Sequence, residues 1–416
     1  MKIREELQQQ WHKIGEQYAK AINEMVAYGN EYGWENWKGE EPQDNRENLA
    51  EEVLVLLREA NSTNSVEEIR ELFAPAHAPF VSMLDKKGSY IGDISALGED
   101  CVVFMKGTSY EDRQAYMVCG REVTKLNSSI CSIGKAMNSD VIAIAYADHI
   151  EMLTEWNGEL ISSCALTILK EEGITRLVPF NDGKKVLVVT SEGVYLLDSK
   201  EEKLVFPEEF DEEMKEDGVG LSMENATLSF NNKYIVVGDQ NADHIILDSD
   251  GNKVGSIGPQ SSYPHYCLFT KDDRQLMTNS CHFYNGISIG IDATQLEGID
   301  IPGWEENELI TYLDESMRVY AGVSTNDYYI LGDAYGYIRA INKEGKELWQ
   351  YFLGSTISGI AMSHDETILY VGTYAGILHK LIINKPVRDT HVIGTGNLYE
   401  DYRLLLWKEE DNELFW

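Results

Sequence analysis

Basic residues are scarce in this chain. It carries 35 Lys and Arg against 70 Asp and Glu, a formal net charge of −35 over 416 residues. Duplex nucleic acid is held largely by basic side chains that neutralise phosphates. A surface this acidic excludes DNA or RNA as a direct ligand, and no Lys/Arg-rich run offers a local exception. Long apolar runs are missing too. No stretch of ~18 apolar residues exists to cross a bilayer as a helix, so no membrane partner is expected. The first ten residues are polar and charged, without the apolar core of a signal peptide, so a cytoplasmic location is expected. Cysteine is sparse: Cys101, Cys119, Cys131, Cys164, Cys267 and Cys281, with no CxxC pair. That excludes a zinc knuckle or a thioredoxin motif, and the six are expected to be buried thiols. HxH, HExxH, a P-loop and a strand-linked GxGxxG are all lacking.

What is present divides into a helical start and a long strand-rich remainder. Ile3, Leu7, Trp11, Ile14, Tyr18, Ile22 and Met25 recur at spacings of three and four, one stripe of an amphipathic helix. Gly29 and Gly33 are expected to end it. An aromatic loop with Tyr32, Trp34 and Trp37 follows. A second helix carries Leu49, Val53, Leu56, Leu57 and Ala60. A third is expected to start at a Ser65/Glu68 capping box and stop before Pro75. Residues 74–80 read as a linker. The domain expectation is therefore residues 1–75 helical and 76–416 strand-built.

From Phe80 the chain turns to short β-branched and aromatic runs separated by Gly, Asn and Asp. Arg176 to Phe206 reads as four strands joined by three tight turns: RLVPF, KVLVVT, VYLLDS and LVF. Similar units follow, the last three ending in LEGID, in ELWQYF after a long first hairpin from Leu309, and in THVIG. Their second turns fall near Gly193, Ala242, Gly286, Gly336 and Gly376, in steps of ~40–50 residues, the period of a four-stranded propeller blade. Two degenerate units, Phe80 to Leu126 and Ile130 to Leu169, precede them. The expected fold is mainly β: a β-propeller of about seven four-stranded antiparallel blades behind a small α-helical N-terminal subdomain. The leftover RLLLWK and ELFW are expected to complete the first blade.

Two segments carry a family resemblance. Tyr337 to Trp349, YIRAINKEGKELW, resembles the repeat of quinoprotein-like β-propellers. Ser363 to Leu378, SHDETILYVGTYAGIL, resembles a blade of the WD40 or quinoprotein-like superfamily. The resemblance implies a propeller fold and transfers no activity. Quinone-dependent dehydrogenases of that superfamily use a vicinal cysteine pair, a calcium site and export. This chain has no Cys-Cys, so that activity is not expected.

Candidate chemistry is thin. His265 and Cys267 with Cys281 and His282 form one tight Cys/His grouping, but their alternate spacing suits a strand face packed into the core. Asp198, Asp248 and Asp292 recur at equivalent places and suit backbone donors of the next turn. No catalytic, cofactor or metal residues are therefore expected, and an enzyme is the lesser reading. The run Glu201–Asp217 holds nine acids against two lysines. Within it Glu208, Glu209, Phe210, Asp211, Glu212, Glu213 and Met214 interleave acids with apolar anchors. That pattern is a docking strip for a basic partner protein, or a solvated loop. Tyr32, Trp34 and Trp37 are a second candidate, either partner-facing or packed against the strand domain. The expected function is a non-enzymatic protein-binding propeller, in one version an acidic inhibitor of the immunity type. The alternative is a hydrolase- or lactonase-like propeller using its central channel. Inner-strand candidates such as ISGIAMS and ITYLD, mostly apolar or small, weigh against it.

Overall fold

Runs rich in Val, Ile, Leu and Tyr, broken by left-handed or glycine turns, fold into seven antiparallel sheets of four main strands each. The computed structural model describes residues 2–76, 80, 86–98, 100–111, 113–167, 173–208, 220–408, 410 and 412–416. The sheets are blades of one ring, a seven-bladed β-propeller. Blades 1–7 span residues 91–125, 132–165, 176–206, 225–257, 263–314, 319–352 and 357–405. Their inner strands are Ile91–Leu97, Ser132–Lys135, Arg176–Pro179, Asn225–Leu228, Tyr263–Phe269, Val319–Ser324 and Ile357–Met362. Apolar layers lie between neighbouring blades. Between blades 3 and 4, for example, Leu187, Val189 and Val194 meet Leu228, Ile235 and Val237. Each such side chain removed from water stabilises the fold by roughly 1.5–3 kcal/mol.

The ring closes differently from the expectation. Blade 1 supplies all four of its own strands, and the C-terminal segment does not complete it. Leu398–Leu405 is instead the outer strand of blade 7, and Leu414–Phe415 adds beyond it. Closure comes from packing the inner strand of blade 1 against blade 7. A Cβ on Gly372 would lie 2.5 Å from the Ile91 carbonyl oxygen, so only glycine permits this approach. Ser358 Oγ donates to Ile91 O at 2.6 Å, and Tyr90 OH donates to Ser358 O at 3.2 Å.

Three outer segments also pair elsewhere than the repeat suggests. LEGID leads to Asp300–Ile301, which runs parallel to the outer strand of blade 4. Thr311–Asp314, expected as an inner strand, is the outer strand of blade 5. THVIG lies along blade 6, where Phe352 N donates to Ile393 O at 2.9 Å. Both excursions cover the exposed edge of the preceding blade, whose backbone groups would otherwise be open to pairing. The cysteine expectation fails at one place: Cys101 and Cys119 lie directly opposite in blade 1, with Cα atoms 4.2 Å apart, and form a disulfide. Cys164, Cys267 and Cys281 are buried thiols, and Cys131 is half-buried.

Three helices precede the ring: α1 (Lys2–Tyr32), α2 (Glu47–Ser62) and α3 (Val66–Leu72). Gly29 lies inside α1, and Gly33 at φ +86° follows its end. The capping box does not form. Ser65 N donates to Ala60 O, closing α2 through left-handed Asn64, so Glu68 finds that donor already used. Ser65 Oγ bonds Thr63 Oγ1 instead. Trp11, Leu57, Ile69 and Phe73 form a core with Ile377, Leu405, Trp407 and Trp416 of blade 7. Ala76 and Phe80 of the expected linker are buried in it as well, and Ala74 is also buried. The helices thus cover the outside of the last blade, and none of their residues lines the central channel.

Candidate functional site

Every inner strand begins at the same end of the ring, which we call the upper end. The links between blades and the turns between second and third strands emerge there. Aromatic residues gather at this end. The upper turns carry exposed Tyr110 in blade 1, Phe283 and Tyr284 in blade 5, Tyr335 in blade 6 and Tyr374 in blade 7. Tyr263 heads the inner strand of blade 5. Trp304 is anchored at the same level, its backbone N–H donating to Pro259 O. Phe283 and Trp304 are 75% and 67% exposed. Among the described propeller residues, Tyr312 on an outer strand is the one exposed aromatic elsewhere. A monomer gains nothing in stability from exposed rings, and clusters of them mark interaction sites.

The arc continues inward to the channel, a cavity of ≈ 810 Å³ lined by the inner strands. Its mouth is shaped by β-bulges. The ladders of blades 1, 5, 6 and 7 each slip near the upper end: between Gly92 and Ser95, Pro264 and Tyr266, Val319 and Ala321, and Ile357 and Gly359. A bulge re-aims the extra residue. Asp93, His265, Tyr320 and Ser358 thereby line the cavity. Tyr90 meets Tyr374 at 5.1 Å between ring centres, Tyr374 meets Tyr320 at 5.9 Å, and Tyr320 meets His265 at 4.8 Å.

Cations complete the mouth. Arg113 donates to Asp93 Oδ2 at 2.8 Å and to the carbonyls of Cys131 and Ile174, tying blades 1, 2 and 3 together. Arg318 lies over the Tyr320 ring at 4.7 Å and donates to His265 Nε2 and to Phe283 O. His265 Nδ1 lies 2.5 Å from Val319 O. Burial and the adjacent Arg318 push His265 down to about 3, so its ring stays neutral.

The sequence candidates are scattered. Glu208 is exposed at the upper end, two residues past the outer strand of blade 3, and the link it opens returns there at Asn225. Glu209, Phe210, Asp211, Glu212, Glu213 and Met214 lie outside the described residues. Tyr32 and Trp34 are exposed on the helical part. Tyr28 meets Tyr32 at 4.9 Å and half-buried Trp37 at 5.5 Å. None of the three reaches the channel lining. Cys267 is buried and within 3.5 Å of Asn225 Oδ1, whereas exposed His282 bonds Ser262 Oγ. The bulge before Tyr266 breaks the alternation expected of His265 and Cys267. Among the described residues no group of three or more His, Cys, Asp or Glu is placed to hold a metal. Asp198, Asp248 and Asp292 accept from the backbone of Lys200, Asp250 and Thr294, as their recurrence suggested.

The sequence reading passed over Arg176, Arg318, Tyr320, Tyr374 and the rings at 283, 284 and 335. A usable signal existed. The turns CHFYNG, AYG and YAG occupy one place in three successive repeats, so their aromatics had to share one end.

Comparison with known proteins adds little. No protein-family description matches the chain, and no curated protein matches it. Among solved structures, the β-propeller domain of Cps50 (Swd1) from Myceliophteria thermophila is similar at 11% identity and a TM-score of 0.48. The match covers 75% of this chain and 96% of that one.

Proposed function

We propose that this chain is a non-enzymatic, protein-binding β-propeller that docks a basic partner on its upper end. In this reading residues 1–75 are a helical subdomain that buttresses blade 7, and residues 76–416 form the binding platform. One observation carries the proposal: among the described propeller residues the exposed aromatic rings other than Tyr312 gather at a single end, where the acidic link beginning at Glu208 also leaves and returns. Aromatic anchors supply desolvated contact area, and neighbouring acids steer and orient a basic surface. An inhibitor of the immunity type is the specific form of this reading, with a basic toxin or enzyme as ligand and a cytoplasmic site of action.

The test uses full-length protein as bait in a lysate of its own host, beside a variant carrying Phe283→Ser, Tyr284→Ser and Tyr335→Ser. A second variant neutralises the acids between residues 208 and 213. Expected is a basic protein held by the parent chain, released as salt rises, and lost from both variants. Identical captures on all three baits would sink the proposal.

A further inference from the structure

Arg176 and Arg318 line the channel mouth, and neither forms an ion pair with a carboxylate among the described residues. That is unusual in a chain with twice as many acids as bases. Other arginines of the propeller do find partners: Arg113 pairs with Asp93, and Arg339 with Asp333. Among the described residues, the acceptors that hold Arg318 are neutral. Its Nε and Nη2 reach His265 Nε2 at 3.3 and 3.2 Å, and its Nη1 donates to Phe283 O at 2.8 Å. A guanidinium has five N–H donors, so this leaves donors unused while locking the group over Tyr320. Because His265 Nδ1 faces the Val319 carbonyl, the ring positions Arg318 without adding or removing charge. Arg176 enters from blade 3, with the Tyr266 ring 5.8 Å away. Tyr320 and Tyr374 line the same mouth, their rings 5.9 Å apart in an edge-to-face contact, and the cavity has the volume of a small-molecule site.

We propose that the channel mouth binds a small aromatic anion, its carboxylate or phosphate held by Arg176 and Arg318 and its flat part against Tyr320 and Tyr374. Arg318 is the fork that recognises the anion. Arg176 adds the second charge, and His265 is a positioning residue. The inference stands apart from the partner-docking proposal and survives its failure.

Isothermal titration of the full-length protein with benzoate, phenyl phosphate, inorganic phosphate and phenol tests it. Expected is binding of benzoate or phenyl phosphate with Kd below ~5 mM, at least ~10-fold tighter than phenol. Whichever binds tighter identifies the head group as carboxylate or phosphate. Arg318→Gln and Arg176→Gln should each weaken binding by ~10-fold or more with an unchanged melting temperature. Arg318→Lys should fall between, because it keeps the charge and loses the fork. Lys184→Gln, an exposed lysine, should change nothing. The proposal is overturned if no aromatic anion binds at ~5 mM, if phenol binds equally well, or if folded Arg318 and Arg176 variants bind like the parent.

Discussion

Replacing Arg70 by methionine tests the joint between helices and ring. Its side chain is 1% exposed on α3, and its guanidinium donates to the Trp416 carbonyl. It also donates to Asp389 Oδ2 and to Glu400 Oε2, each at 2.7 Å. Glu400 is buried too, accepting from Arg403 Nε at 2.7 Å and contacting His379 Nδ1 at 2.6 Å. Burial opposes the Glu400 charge, but Arg403, Arg70 and His379 outweigh it and hold its carboxyl well below the usual range. Burial pushes Asp389 up despite Arg70. Methionine preserves the packed stem and removes the charge. Asp389 then has no cation at hydrogen-bond distance, whereas Glu400 retains Arg403. Breaking a buried pair from one side costs about 3–5 kcal/mol, and that loss is expected at pH 7. It should shrink as the pH falls, because an unpaired Asp389 is relieved by protonation. Adding Asp389→Asn should recover part of it for the same reason. The assay is urea unfolding followed by tryptophan fluorescence and by far-ultraviolet circular dichroism. Trp11, Trp407 and Trp416, three of the eight tryptophans, share the core beside this network, so fluorescence includes the joint while circular dichroism follows the sheets. A loss under ~1 kcal/mol by both probes would refute the reasoning.

Asp333→Asn should flatten one segment of the pH–stability curve. Burial pushes this carboxyl up to about 6, against Arg339 and the N–H groups of Tyr337 and Tyr335. The folded state therefore holds a proton that the unfolded chain releases at about 3.9. Between those values stability falls as pH rises, and the amide, keeping an acceptor for both N–H groups, should remove that slope in urea titrations from pH 4 to 7. Gly372→Val should destabilise the ring by at least ~1–3 kcal/mol in thermal unfolding, because its Cβ meets Ile91 O at 2.5 Å. An unchanged melting temperature would mean that blades 1 and 7 do not meet as described.

The legible part of the fold was its phase. Gly193, Gly336 and Gly376 begin or immediately precede third strands and Gly286 is the second residue of its own, as the repeat required, because turn chemistry is local. The illegible part was pairing at the edges. LEGID and THVIG have the alternation of any half-buried strand, and nothing local says which blade edge receives them. The bulges were hidden for a related reason. One inserted residue moves His265 or Tyr320 to another face without altering composition, and only the partner strand reveals the slip.

The site was hidden by averaging rather than by pairing. A net charge of −35 is a sum over the molecule, while the field inside a narrow mouth follows the few groups that line it. Arg176 begins one inner strand and Arg318 directly precedes another, positions that a phased repeat places at the channel. The global excess of acid argued for a basic partner and said nothing about these two residues. Their importance lies in what they lack: among the described residues neither has a carboxylate partner, although Asp93, Asp140 and Glu224 line the same cavity, and Arg318 is held by a neutral ring nitrogen, a carbonyl and a ring face. If both proposals hold, the upper end combines an aromatic rim that docks a basic surface with two mouth arginines that take an anion. One partner could satisfy both only by presenting an acidic or anionic group at the centre of a basic patch.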